Sequence, residues 1–229
     1  DNAVVAAAAQ AAPEITLGVT RKLSGARLDL NLTDTWKGYV SYSVEKRIGA
    51  RPLTAVWGGG GGSAPVEIVE PIDYSTQDVL AGLLHTDAVN TFNLRLSASL
   101  FHNNIDTLVF QQPLRIAPAA GITTVPAVGA FTQGRFDLAP GNQAYNARAE
   151  YTRSLPDFYR GNFSAVVALG TLRQDDNLIP YTTIPNITLA NVTLQPGGNW
   201  DGTGSLSRQN AAARIDTRLA NLNLSLNPN

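Results

Sequence analysis

Side chains of an extended chain point to alternate sides, and this chain repeats an oily-then-wet alternation of period two in at least six segments. No helical period of comparable strength competes with it. In "FNLRLSASLF" (92–101), Phe92, Leu94, Leu96, Ala98 and Leu100 fall on one side, with Asn93, Arg95, Ser97 and Ser99 on the other. "EITLGVTRK" (14–22), "ARLDLNL" (26–32) and "KGYVSYSVEK" (37–46) read the same way, and a weaker strand runs from about Thr76 to His85. "QAYNARAEYTR" (143–153) and "GNFSAVVALGTLR" (161–173) follow. In "RIDTRLANLNLSLN" (214–227) the oily positions change from odd, at Ile215 and Leu219, to even, at Leu222, Leu224 and Leu226. A bulge or a turn would account for that slip. Strands of this kind need oil against one face, supplied either by a second protein layer or by lipid.

The connections favour lipid. Short links are expected near 23–25, 33–36, 86–91 and 154–160, and long ones near 48–75, 102–142 and 174–211. Counted in order, every long link leaves an odd-numbered strand, so an up-and-down antiparallel sheet carries all of them at one end. Outer-membrane barrels show that asymmetry, with short periplasmic turns and long external loops. A soluble sandwich has turns at both ends, and structureless loops beyond about 15 residues are uncommon in compact domains. Length agrees, because about 9–11 tilted residues cross the hydrocarbon layer. Aromatics near strand ends (Trp36, Tyr39, Phe92, Phe101, Tyr145, Tyr151 and Phe163) are candidates for interfacial girdles. The expected architecture is all-β: seven to nine strands of an antiparallel, up-and-down transmembrane β-barrel over 14–229, after a flexible segment at 1–13, "DNAVVAAAAQAAP". The even residues of 92–100 face lipid and their odd neighbours face the lumen.

Composition narrows the chemistry. The 17 Lys and Arg nearly balance 18 Asp and Glu, which gives no basic footprint for nucleic acid. No run of about twenty apolar residues suits a spanning helix. The chain has no cysteine, which excludes disulfides, thiolate metal sites, iron–sulfur clusters and the C-x-x-C-H attachment of c-type haem. His85 and His102 lie near opposite ends of adjacent expected strands, too far apart to share a metal or a proton. Gly58–Gly62 is a five-glycine run with no Lys-Ser/Thr after it, so it reads as an external loop rather than a phosphate cradle. Asp73, Asp106, Asp175 and Asp176 lie at strand-to-loop transitions and read as turn caps rather than calcium ligands. No Ser/His/Asp arrangement meets the requirements of a triad, and no catalytic, cofactor-binding or metal residue is assigned. The polar-face residues Arg27, Asp29, Glu45, Asn93, Arg95, Ser97, Arg148 and Glu150 mix both signs, as a lumen wall would, pairing across neighbouring strands.

Several longer runs carry a resemblance. "DTWKGYVSYSVEKRIGARPL" (34–53), "VEIVEPIDYSTQDVLAGL" (66–83), "FNLRLSASLFHNNIDTLVFQQP" (92–113), "GTLRQDDNLIPYT" (170–182) and "RIDTRLANLNLSLNP" (214–228) occur in that order. Together they resemble the MtrB/PioB family of outer-membrane β-barrels. The most specific pieces are Pro71-Ile72-Asp73-Tyr74, Asn103-Asn104, Gln174-Asp175-Asp176, Asp216-Thr217 and Leu219-Ala220-Asn221-Leu222. The resemblance implies a non-enzymatic sleeve in the bacterial outer membrane around a periplasmic multihaem c-type cytochrome, which passes electrons to or from an external cytochrome or mineral. Haem would be carried by the partner, since this chain has no thiol to hold it. Family members are longer and have more strands than are read here. Eight strands enclose room only for their own side chains, so the resemblance implies a segment of a larger barrel. The ending Asn-Pro-Asn, in place of the aromatic that usually closes such barrels, fits that expectation. The competing readings are a diffusion porin or small barrel without cytochromes, and a secreted β-sandwich that binds another molecule.

Overall fold

A computed structural model describes residues 2–57, 64–111, 133–180 and 206–227. The Ala-rich start, expected to be flexible, forms helix α1 (Asn2–Ala11), as a run of the strongest helix former allows. All other regular structure among the described residues is β: β1 (Gly18–Asn31), β2 (Trp36–Trp57), β3 (Ala64–Thr86), β4 (Asn90–Asn103), β5 (Thr107–Gln111), β6 (Gln133–Asp137), β7 (Asn142–Leu155), β8 (Gly161–Gln174) and β9 (Ala213–Ser225). Seven of these form one antiparallel sheet in the order β1-β2-β3-β4-β7-β8-β9, and β5 and β6 form a separate hairpin.

Register makes the two faces explicit. Leu96 lies opposite Ala81 of β3 and Ala147 of β7, and the same row continues to Val40, Leu28 and Leu169. The next row on that face joins Leu30, Leu83, Leu94, Ala149, Val167 and Ala220. Nothing covers this stripe among the described residues: Leu96 is 44% exposed and Leu222 72%. A stacked second sheet would have buried these leucines. The few buried hydrophobic residues (Ala55, Ile72, Tyr74 and Leu138) all lie beyond one end of the stripe. An oily face this wide needs an apolar surrounding, and the hydrocarbon of a bilayer supplies it.

Four details of the expected chain path are corrected. Residues 23–25 are not a link, because β1 pairs with β2 without a break from Gly18 to Asn31. Leu23-Ser24-Gly25 resembles a turn, yet Gly25 is extended and closely packed: a Cβ there would lie 3.0 Å from the Tyr42 carbonyl oxygen. Val19 therefore shares the polar face with Arg21 and Arg27. The expected loop at 48–75 is strand except for 58–63, which lie outside the described residues together with the glycine run. Its prolines fit because β2 has no β1 partner beyond Ala50 and β3 has no β4 partner before Tyr74, leaving Pro52, Pro65 and Pro71 where a missing N–H interrupts no second ladder. β9 has neither bulge nor turn, so Ile215 and Leu219 fall on the polar face and Arg214, Asp216 and Arg218 on the oily one. The long links at 102–142 and 174–211 contain the β5–β6 hairpin and an Asn177–Asn210 bridge, respectively.

With the first two expected strands merged, the short turns follow β1, β3 and β7 at one end, whereas the other end carries the β2–β3 hairpin, extended past the neighbouring strands, and the long connections after β4 and β8. The end-to-end asymmetry is retained.

Leu96→Arg should lower the stability of the bilayer-inserted protein by about 2–4 kcal/mol, whereas Ser97→Arg, one residue on, should leave it near wild type. Denaturant titration of refolded protein in vesicles measures both. Equal losses would mean that the faces have been assigned wrongly.

Candidate functional site

The polar face brings together all eight residues expected on one wall. Arg27 shares a row with Ser41, Leu80, Ser97 and Asn146; Asp29 with Tyr39, Gly82, Arg95 and Arg148. Asn93 lies opposite Glu150, and Glu45 opposite Thr76 two rows from Ser97. The centre of the wall is built largely of small residues, with Gly25, Ser43, Ser99, Ala144, Gly170 and Thr217 beside Ser41 and Ser97. Tyr39 lies flat: its ring occupies the space above Gly82, where a Cβ would come within 2.2 Å, and the Arg27 guanidinium stacks on it at 4.1 Å. A large side chain thus occupies little depth.

Most charge pairs on this wall form along one strand instead of across strands. Arg27 pairs with Asp29 at 2.8 Å, Arg148 with Glu150 at 2.5 Å, and Glu45 binds Arg47 of its own strand as well as Arg21 of β1 at 2.6 Å. Residues two apart face the same side, so Arg-x-Asp/Glu is a signal that was legible in the sequence. These pairs are exposed and neutralise charge more than they stabilise the fold. Arg95 lies directly opposite Arg148 and has no carboxylate in ion-pair range among the described residues.

The aromatics divide by face. Trp36, Phe92, Tyr151 and Phe163 gather on the oily face at the short-turn end, where Trp36 also stacks on His85 at 4.5 Å. Tyr145 is on the oily face towards the other end, opposite Ala98. Tyr39 and Phe101 belong to the polar face, so these two expected girdle residues are not in a girdle. His85 and His102 lie at opposite ends of β3 and β4, and no group of three His, Asp or Glu residues suited to a metal occurs among the described residues. In the β3–β4 turn the N–H of Val89, then the side chain and N–H of Asn90, hold the Asp87 carboxyl below its usual range.

The motif residues sit where the long connections leave the sheet. Pro71, Ile72, Asp73 and Tyr74 are in β3, not a loop. Asn104 donates its backbone N–H to the Asp73 carbonyl (2.9 Å) and its side-chain amide to the Asp73 carboxylate (3.1 Å). The buried Asn103 donates to the Ala139 carbonyl and accepts the Ile105 N–H, both at 3.0 Å. Asp176 accepts the Gly141 N–H at 2.5 Å, and the Asp175 carbonyl accepts from Asn210. Desolvation, then the Asp176 and Asp106 carboxylates, raise the pKa of Asp137 beside them.

Sequence reading missed the pair that anchors this end. Glu70 is only 2% exposed and takes both Arg51 nitrogens, Nε at 2.7 Å and Nη2 at 2.8 Å, together with the Tyr74 hydroxyl at 3.1 Å. Burial, then the bond to Glu70, raise the Tyr74 pKa and keep it a donor. A signal was present, since Arg51 and Glu70 lie nine and ten residues from the middle of the glycine run in sequence, and the β2–β3 register sets them directly opposite one another. Arg51→Gln should destabilise the hairpin by about 3 kcal/mol, because it strands a buried carboxylate. Glu70→Gln should cost about 1–2 kcal/mol, since Arg51 is half exposed and stays hydrated. Hydrogen exchange in 64–74 reads the difference. On the wall, Gly82→Ala should displace Tyr39 and cost about 1–3 kcal/mol. Adding Tyr39→Ser should restore most of that loss in the temperature of the barrel's heat-dependent gel shift.

Two comparisons bear on this architecture. The family model described as outer membrane beta-barrel porin, MtrB/PioB, matches residues 1–229. The chain is also 28% identical over 170 residues to the outer membrane protein MtrB of Shewanella baltica (strain OS185), an alignment covering 72% of this chain and 21% of that protein. The chain thus spans about a fifth of the length of the relative it matches.

Proposed function

The chain belongs to the MtrB/PioB family of outer-membrane β-barrel porins, and from that premise we propose that it forms part of the wall of a barrel sheathing a multihaem c-type cytochrome. The barrel is in the outer membrane. Its oily face meets lipid, its polar face meets the lumen, and electrons cross the membrane through haems carried by the partner. The family is one of porins, whose work is passage rather than catalysis.

The observation that carries this reading is the character of the polar wall. A small barrel fills its interior with its own side chains. Here eight of the fourteen positions in the two central rows are Gly, Ser, Ala or Thr, and Tyr39 is folded flat over Gly82. Such a wall leaves depth for a wide occupant, while the paired charges offer it a wet, nearly neutral surface. Cysteine is absent, so the chain itself holds no thioether-linked haem. It would contribute insulation and position, and the motif residues at the base of the long connections would keep the external mouth in shape.

A diffusion porin would use the same wet wall, and purification separates the two. Isolated from the outer membrane, the full-length barrel should carry a haem-staining polypeptide in fixed stoichiometry through size exclusion, and should pass little ionic current in planar bilayers. A haem-free barrel with steady conductance would replace this reading with the porin.

A further inference from the structure

Two cross-strand pairs on the oily face carry like charge: Lys22 opposite Lys46, and Arg173 opposite Arg214. Like charges directly opposite one another on neighbouring strands are destabilising. The polar face has one such pair near the same end, Arg21 opposite Arg47, and there Glu45, one same-face step along β2, binds both. On the oily face neutralisation stops halfway. Asp73 reaches Lys46 at 3.7 Å and Asp216 reaches Arg214 at 2.8 Å. Among the described residues no carboxylate lies in ion-pair range of Lys22 or Arg173.

Their level on the sheet says where the missing anion comes from. Arg173 and Arg214 share a row with Leu100, the last leucine of the β4 stripe, and that row continues to Val44. Lys22 and Lys46 lie one same-face step further out. All four are exposed, and all stand at the rim that carries the long connections. On the same face at the short-turn rim, Arg153 is the one strand cation among the described residues. An anion here borders oil on one side and water on the other.

We propose that this rim binds the phosphate groups of outer-leaflet lipid, with one headgroup phosphate held at Lys22–Lys46 and another at Arg173–Arg214. Arginine grips phosphate through paired N–H donors and lysine acts as a point charge, and basic clusters beside a membrane surface recruit anionic headgroups. The acyl chains of a lipid at Lys22–Lys46 run down over Val44 and Val40, and those of a lipid at Arg173–Arg214 over Leu169 and Val167, which selects a lipid over free phosphate. The assignment does not depend on what occupies the lumen.

Titration of the full-length barrel in detergent with bisphosphorylated lipid A, its dephosphorylated form and inorganic phosphate tests the site. Wild type should bind the phosphorylated lipid at least about tenfold more tightly than the dephosphorylated one, and millimolar phosphate should not displace it. From about a factor of five per cation near a charged surface, Lys22→Gln with Lys46→Gln, and Arg173→Gln with Arg214→Gln, should each weaken binding at that pair's own site roughly thirtyfold and leave the other site intact. Arg153→Gln should leave it unchanged. Indifference of the wild type to the lipid's phosphates overturns the proposal even if a variant fails to fold. So does displacement by phosphate alone, or an Arg153→Gln loss equal to that of either pair.

Discussion

In hydrocarbon, a backbone N–H or C=O without a partner costs several kcal/mol and no water is present to supply one. That constraint orders everything else in this chain. The six ladders of the main sheet run without a bulge or a skipped residue, so each interior strand is hydrogen-bonded on both sides through the whole depth of the stripe. β1 and β9 each have a neighbour on one side only. Inside a bilayer those two edges require further strands, and the matched relative, 21% of which aligns with 72% of this chain and which is therefore more than three times as long, is of a size to provide them.

The same constraint explains why ordinary core physics is confined to one end. Within the stripe, lipid does the work of a core and the leucines remain exposed to it. Past the stripe, water returns and polar groups must find partners when they are covered. That is where Glu70, Asn103, Ile72, Tyr74 and Leu138 are buried, and where the β2–β3 hairpin continues with no neighbour on either side. The Arg51–Glu70–Tyr74 contacts and the Asn103 and Asn104 bonds tie that free hairpin and the β4–β5 connection to the sheet. Residues that looked like loop motifs are the fastenings between two solvents.

The two-faced strands were legible in the sequence because side-chain period is a local property: Phe92 to Leu100 and Tyr145 to Tyr151 read correctly by themselves. Pairing is not local. Leu23-Ser24-Gly25 carries turn residues, and only its β2 partner shows that the chain runs straight through. Pro52, Pro65 and Pro71 argue against a central strand and are right to do so, since those stretches have a single neighbour, a fact of sheet outline that no window of sequence contains. The slip at Ala220 was real in the pattern but has no backbone counterpart. On β9 the oil simply moves from one face to the other, with Ile215 and Leu219 on the polar side. Of the candidate wall, the face of all eight residues followed from alternation, whereas the partners of their charges needed coordinates.

The two rims of the oily face differ in kind, and this gives the sheet a direction. At the short-turn rim, Trp36, Phe92, Tyr151 and Phe163 form an aromatic border, and Tyr151 donates to Asn90 at 2.7 Å. Rings with a polar tip favour the boundary between tails and headgroups, so they hold that rim at a fixed depth. The other rim has Tyr42 and Tyr145, each donating to a glutamine at 3.2 Å, and then a band of lysine and arginine. Long cationic side chains reach outward while their stems stay on apolar surface, and they tolerate a thicker, more variable headgroup layer. The general barrel rule of short periplasmic turns and long external connections assigns the aromatic rim to the inner leaflet and the cationic rim to the outer one. A strand pattern that repeats with period two has no preferred end. The difference between the rims supplies it, and the β2–β3 hairpin extends past the cationic one.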